Sequence, residues 1–173
     1  MVNNLLEQGD ILQMTSALQL FTKWDKNTEG VKVLQLFDYM GGIVSILEFE
    51  PWEDLVPFGF ESEKARVFWL PNRVNPLAFA KGPRRKFRHQ NAGDEDPKTG
   101  AGALCLWYSK DPLPLSWAPS LGIEDYLFRL SRHLFAEEEF RKTGVWPGED
   151  TPHGEPSIGS WPIISQELKE RIL

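Results

Sequence analysis

Residues 31–50, VKVLQLFDYMGGIVSILEFE, decide the fold, because they contain two β-rich runs with a glycine pair between them. Residues 31–39 and 43–50 are rich in β-branched and aromatic side chains, which favour strands. Gly41 and Gly42 supply the backbone freedom of a tight turn, and Pro51 ends the second run. The stretch therefore predicts an antiparallel hairpin.

Two more strands are predicted after this hairpin. Residues 65–70 form a third β-rich run that Pro71 closes, and residues 77–80 form a short fourth. Four consecutive strands with short connections predict an antiparallel meander. Beyond them, up to about Pro119, glycines, charges and prolines predict irregular chain.

Helices are predicted on both sides of the strands. Asp10 and Gln13 form a capping box that opens a helix running to about Trp24. A long helix is predicted over residues 123–142, with the apolar positions of one face repeating every three or four residues and Gly144 beyond its end. A short closing helix is predicted from residue 165. The order predicts an α+β fold of sheet and helices in a single domain, residues 1–173.

The composition narrows the classes of function. The chain has 173 residues, 41% of them hydrophobic, which suits one globular domain. A formal charge of −6 argues against general binding to nucleic acids or anionic membranes. The first ten residues lack the basic start and apolar run of a secretory signal, so a cytoplasmic protein is expected.

Cys105 is the only cysteine, and it lies in the run Gly102-Ala103-Leu104-Cys105-Leu106-Trp107. A single cysteine forms no internal disulfide and no cysteine-rich zinc site. A lone cysteine is ordinarily an inert, buried residue. Here Gly102 and the polar loop upstream favour a surface position, where a reduced thiol can act as a nucleophile.

Three motifs follow one another in an order that resembles the ubiquitin-conjugating enzyme family. They are His89-Gln90-Asn91, Gly102-Ala103-Leu104-Cys105-Leu106 and Trp117-Ala118-Pro119. The family has an N-terminal helix, a four-stranded meander, a His-Pro-Asn tripeptide, a Gly-x-x-Cys-Leu run, a Trp-x-Pro run and further helices. Two departures are visible: Gln90 replaces the proline, and the segment between Asn91 and Cys105 is several residues longer than usual.

Further runs are similar to those of bacterial members of the family. They are Cys105-Leu106-Trp107-Tyr108, Gly144-Val145-Trp146-Pro147-Gly148 and Pro152-His153-Gly154. Some of these bacterial proteins are stand-alone and are encoded beside anti-phage signalling enzymes of the cyclic-oligonucleotide (CBASS) type. The length of this chain is typical of that form, with no room for an adenylating domain.

The resemblance implies a fold with a catalytic loop between the sheet and the C-terminal helices. It also implies that Cys105 carries a protein C-terminus as a thioester, that Asn91 stabilises the oxyanion, and that His89 holds the turn presenting Asn91. The implied partner is a cGAS-like nucleotidyltransferase, whose C-terminus is the substrate. No cofactor is expected, since the sequence has neither a nucleotide-binding glycine-rich loop nor a metal cluster. Acidic residues could orient the attacking lysine: Asp94, Glu95, Asp96 and Asp111.

Two other functions stay open at the level of sequence. The first is a catalytically silent scaffold of the same fold that binds the nucleotidyltransferase, with Cys105 incidental. The second is a cysteine hydrolase that uses Cys105 with His89 or His153, which would require an orienting Asn or Asp.

Overall fold

The computed structural model describes residues 16–81, 90–97, 99–107 and 116–147. Over these ranges the protein is α+β, with an N-terminal helix, a four-stranded antiparallel sheet and a long C-terminal helix, as predicted. A two-stranded hairpin lies between the sheet and the long helix. The elements in chain order are α1 (Ala17–Lys23), β1 (Val31–Tyr39), β2 (Gly42–Phe49), β3 (Glu63–Trp69), β4 (Leu77–Ala80), β5 (Gln90–Glu95), β6 (Gly102–Leu104) and α2 (Gly122–Thr143).

The N-terminal helix begins later than the sequence predicts. Ser16 has extended backbone and caps α1, with its hydroxyl accepting from the Gln19 N–H at 3.2 Å. The Gln19 side chain accepts from the Ser16 N–H at 2.9 Å, which completes a capping box. The prediction of an uninterrupted helix from Asp10 to Trp24 is therefore wrong at Ser16. The extended backbone of Ser16 is not helical, and α1 begins directly after it. The other predicted capping box, Asp10 with Gln13, lies outside the described residues.

The turn between β1 and β2 sits one residue earlier than predicted. Met40 and Gly41 are its central residues, with φ of 49° and 74°, as a type I′ turn requires. Gly42 already belongs to β2, opposite Tyr39. A Cβ on Gly42 would lie 2.2 Å from the Trp69 carbonyl oxygen, so the neighbouring strand requires glycine at this position.

The four strands form the predicted meander, in the order β1-β2-β3-β4, all antiparallel. One face of the sheet packs against both helices and forms the main core, where Phe21 of α1 stacks on Trp69 of β3 with ring centroids 4.5 Å apart. The predicted apolar face of α2 is fully buried in this core. It consists of Tyr126, Leu127, Leu130 and Leu134.

The long helix ends where the sequence predicts. Gly144 takes the left-handed conformation, with φ of 74°, and its N–H donates to the Phe140 carbonyl at 2.7 Å. The closing helix predicted from residue 165 lies outside the described residues. Among the described residues, no helix combines the length and the apolar character that crossing a membrane requires.

The segment predicted as an irregular catalytic loop contains a hairpin. β5 pairs antiparallel with β6. The prediction of irregular chain is therefore wrong for these two strands. The Asp and Gly residues that suggested a loop supply the turn instead: the Gly100 N–H donates to the Asp96 carbonyl at 2.8 Å, and Gly100 has φ of 66°. Pairing satisfies backbone groups that an irregular loop would leave to water.

Candidate active site around Cys105

Cys105 follows directly after β6, at the boundary between core and solvent. β6 lies beside β4, and its successive residues enter different clusters. Leu104 belongs to the main core, while Ala103 packs with Val44 and Phe68 on the opposite side of the sheet. Two consecutive buried residues therefore fix the backbone just before the half-buried Cys105.

The thiol has a hydrogen-bond acceptor within its own loop. The Cys105 Sγ donates to the Trp107 carbonyl oxygen at 3.6 Å. This contact orients the sulfur. Because a thiol is a weak donor, breaking the contact costs little free energy. Trp107 itself lies against Tyr126 of α2, with ring centroids 6.0 Å apart. The loop that carries the thiol thus rests on aromatic packing over the long helix.

Trp117 forms the other part of this aromatic support. It is 3% exposed, its indole N–H donates to the Gly122 carbonyl at 2.8 Å, and its ring lies 5.4 Å from that of Tyr126. Trp117 therefore packs against the long helix. Its contacts also anchor the start of α2.

Asn91 lies on the strand paired with the one that precedes Cys105. In the β5–β6 register Asn91 is opposite Ala103, and Gln90 is opposite Leu104. Cys105 is two residues beyond Ala103, which is roughly 7 Å along an extended chain. The backbones of the two predicted site residues are therefore held near each other by strand pairing rather than by a free loop.

Three other residues to which the sequence analysis gives a role lie outside the described residues. They are His89, Asp111 and His153. Their predicted roles remain predictions.

The acidic residues of the hairpin have arginine partners that the sequence analysis missed. Arg66 of β3 pairs with Asp96, which is 3% exposed. Arg73 makes a two-pronged pair with Asp94, at 2.8 and 3.1 Å. These contacts connect the hairpin to the sheet, a role different from orienting a lysine. No local signal marks them, because each arginine is 20 to 30 residues from its partner.

Compared with protein-family models, curated proteins and solved structures, the chain matches none of them. Within the described ranges, no three side chains of His, Cys, Asp or Glu gather as a metal site would require. The assignment of a catalytic role to Cys105 therefore depends on the chemistry of the thiol and its surroundings.

Proposed function

We propose that this protein is a cysteine acyl carrier of the ubiquitin-conjugating enzyme type. The observation that carries the proposal is a half-buried Cys105 directly after β6, with Asn91 on the paired strand. The order of helix, four-stranded antiparallel meander and long helix supports the family's fold for this chain.

The reaction has two transfers. The Cys105 thiolate attacks an activated acyl group at the C-terminus of a protein, a new S–C bond forms, and the activating group leaves. An acceptor amine then attacks the thioester carbonyl, the S–C bond breaks, and the amine loses a proton as the thiolate returns.

In this mechanism Asn91 acts during the second transfer. Negative charge develops on the carbonyl oxygen as the amine attacks, and the Asn91 amide donates to it. Removal of one such donor costs about 2.7–4 kcal/mol in comparable sites. His89 holds the chain that presents Asn91.

The resemblance to stand-alone proteins of anti-phage systems suggests which protein provides the transferred C-terminus. We assign the transferred C-terminus to a cGAS-like nucleotidyltransferase encoded nearby. Its conjugation would regulate the production of the second messenger during infection.

The first test of the chemistry needs no natural partner. The protein is incubated with a short peptide thioester ending in glycine, and intact mass is measured before and after reducing agent is added. We expect a peptide-sized mass increase on the wild type that the thiol reagent removes. Cys105→Ala should show no increase, and Cys105→Ser should form at most an ester that resists the thiol reagent.

The second test uses amine attack on the loaded protein. Asn91→Ala should load normally and discharge to free lysine about 100-fold more slowly, the loss of one oxyanion donor. Asn27→Ala, at an exposed asparagine of a different loop, is the matched control. Failure of the wild type to load from any thioester, including that of the nucleotidyltransferase, would refute the proposal.

Two departures from the family's motifs favour a second candidate, the catalytically silent scaffold. Gln90 replaces the proline of the tripeptide, and the segment between Asn91 and Cys105 is longer than usual. If the protein is a scaffold, binding to the nucleotidyltransferase and protection from phage should be the same in wild type and Cys105→Ala. Loss of protection in Cys105→Ala with unchanged binding would eliminate the scaffold.

A further inference from the structure

A groove of about 400 Å³ lies between the sheet and the start of α2, and none of the described residues that line it belongs to the loop around Cys105. Its lining comes from three segments: residues 28–31 at the start of β1, residues 50–53 after β2, and positions 124 to 131 of α2. Cavities of roughly 300–1,000 Å³ are the size that holds small ligands or a few residues of a peptide.

Two aromatic rings line the groove. Those of Trp52 and Phe128 have centroids 6.1 Å apart, and the fully buried Leu127 also belongs to the lining. Phe128 is 52% exposed, although its helix, α2, contributes other residues to the main core. The ring already attracts one guanidinium, since the Arg132 Cζ lies 5.6 Å from its centroid. The wall is therefore a surface on which a planar cation can stack.

The rim of the groove is negative. Among the described residues, four carboxylates line it: Glu29, Glu50, Glu53 and Glu124. None of the described lining residues is Lys or Arg. Lys32 pairs with Glu50 from outside the lining, and this hydrogen bond raises the pKa of Lys32. Lys32 and Arg132 are two positive charges beside four carboxylates. The described part of the groove therefore has an excess of negative charge.

We propose that this groove docks an arginine side chain carried by an extended basic segment of a protein partner. A guanidinium suits the site because it stacks on aromatic rings and donates two parallel hydrogen bonds to a carboxylate, whereas a lysine ammonium does neither as well. The carboxylates come from three separate segments of the chain, so they can contact a peptide along its length. The occupant would cover Phe128 and neutralise the rim. This proposal does not depend on the chemistry of Cys105.

The test is binding of a fluorescein-labelled Gly/Ser peptide with three arginines, followed by fluorescence anisotropy at low salt. We expect saturable binding to the full chain and at least about tenfold weaker binding of the same peptide with citrulline, which keeps the shape and removes the charge. Glu53→Gln with Glu124→Gln should weaken binding about fivefold to tenfold, and Phe128→Ser should also weaken it. The matched control removes two exposed carboxylates outside the groove, Asp38→Asn with Glu61→Gln.

Localisation is checked by the indole N–H signal of Trp52, identified with Trp52→Phe, which should shift as the arginine peptide is added. Three results would each overturn the proposal. They are the same affinity for the citrulline peptide, the same loss in the control double variant as in the groove variant, and an ethylguanidinium affinity equal to that of the peptide. Equal affinity for ethylguanidinium would indicate a small-molecule site.

Discussion

At the scale of single residues, the hydroxyl of Tyr126 is a polar group buried among aromatic rings. The side chain is fully buried among Trp69, Trp107 and Trp117, and the hydroxyl has no hydrogen-bond partner among the described residues. Burial raises the pKa of Tyr126 above its ordinary value of 10.0, because the phenolate cannot be solvated there. The packing that supports the Cys105 loop therefore also buries a polar group, which lowers the free energy of unfolding.

The first prediction concerns Tyr126→Phe. At pH 7 the free energy of unfolding should stay unchanged or rise by about 1 kcal/mol, because the variant removes a buried hydroxyl that has no partner among the described residues. Above pH about 10 the unfolded phenol ionises while the folded one stays protonated, so the wild type loses up to about 1.4 kcal/mol per pH unit from this residue. The variant should lack that loss. Urea unfolding at pH 7 and pH 10.5 measures both effects.

Two results would contradict this prediction. A destabilisation of more than about 1 kcal/mol at pH 7 would mean that the hydroxyl has a partner. An equal alkaline loss in both proteins would mean that Tyr126 ionises as easily in the folded state as in the unfolded state.

At the scale of elements, local sequence accounts for β1, β4 and α2 almost to the residue. β1 and β4 have the predicted ends, and α2 differs by one residue at each end. Branched residues, glycines and prolines act locally, so these boundaries are visible in the sequence. The short hairpin β5–β6 is not visible, because its strands are stabilised by each other and by the sheet.

The second prediction concerns the turn between β1 and β2. Met40 adopts positive φ and is 78% exposed, so it is strained without contributing to the core. Met40→Asn should raise the free energy of unfolding by about 0.5–1 kcal/mol, because asparagine adopts this conformation more readily. Gly41→Ala should lower the free energy of unfolding by about 1 kcal/mol, because alanine adopts a positive φ less readily than glycine. Urea unfolding of the two variants measures these changes, and a destabilised Met40→Asn would rule out the type I′ turn.

At the scale of the whole molecule, the hairpin is connected to the sheet in two ways. Ala103 packs with Val44 and Phe68 across the sheet from the main core, and the two arginine–aspartate pairs connect β3 and the chain after it to the hairpin. If Cys105 and Asn91 act together, these long-range contacts set their positions.

The third prediction compares the two ion pairs. Asp96→Ala should cost about 3 kcal/mol or more, because it leaves the mostly buried Arg66 guanidinium without its carboxylate. Asp94→Ala removes a pair whose side chains are 39% and 31% exposed, and it should cost less than about 1 kcal/mol. Urea unfolding gives both values. Faster amide hydrogen exchange at Ala103 and Leu104 in Asp96→Ala would show the hairpin loosening, and equal costs for the two variants would contradict the difference in burial.

The sequence by itself determined the α+β class, the four-strand meander, the long helix and the choice of Cys105 as the candidate nucleophile. These follow from periodicity, turn residues and residue type, which act over a few positions. Only the tertiary structure decided that Asn91 lies opposite Ala103, that Asp94 and Asp96 pair with arginines, and that Trp52 and Phe128 line one groove. Each of these contacts joins residues far apart in the chain, and their energies depend on burial and distance, which a linear pattern does not contain.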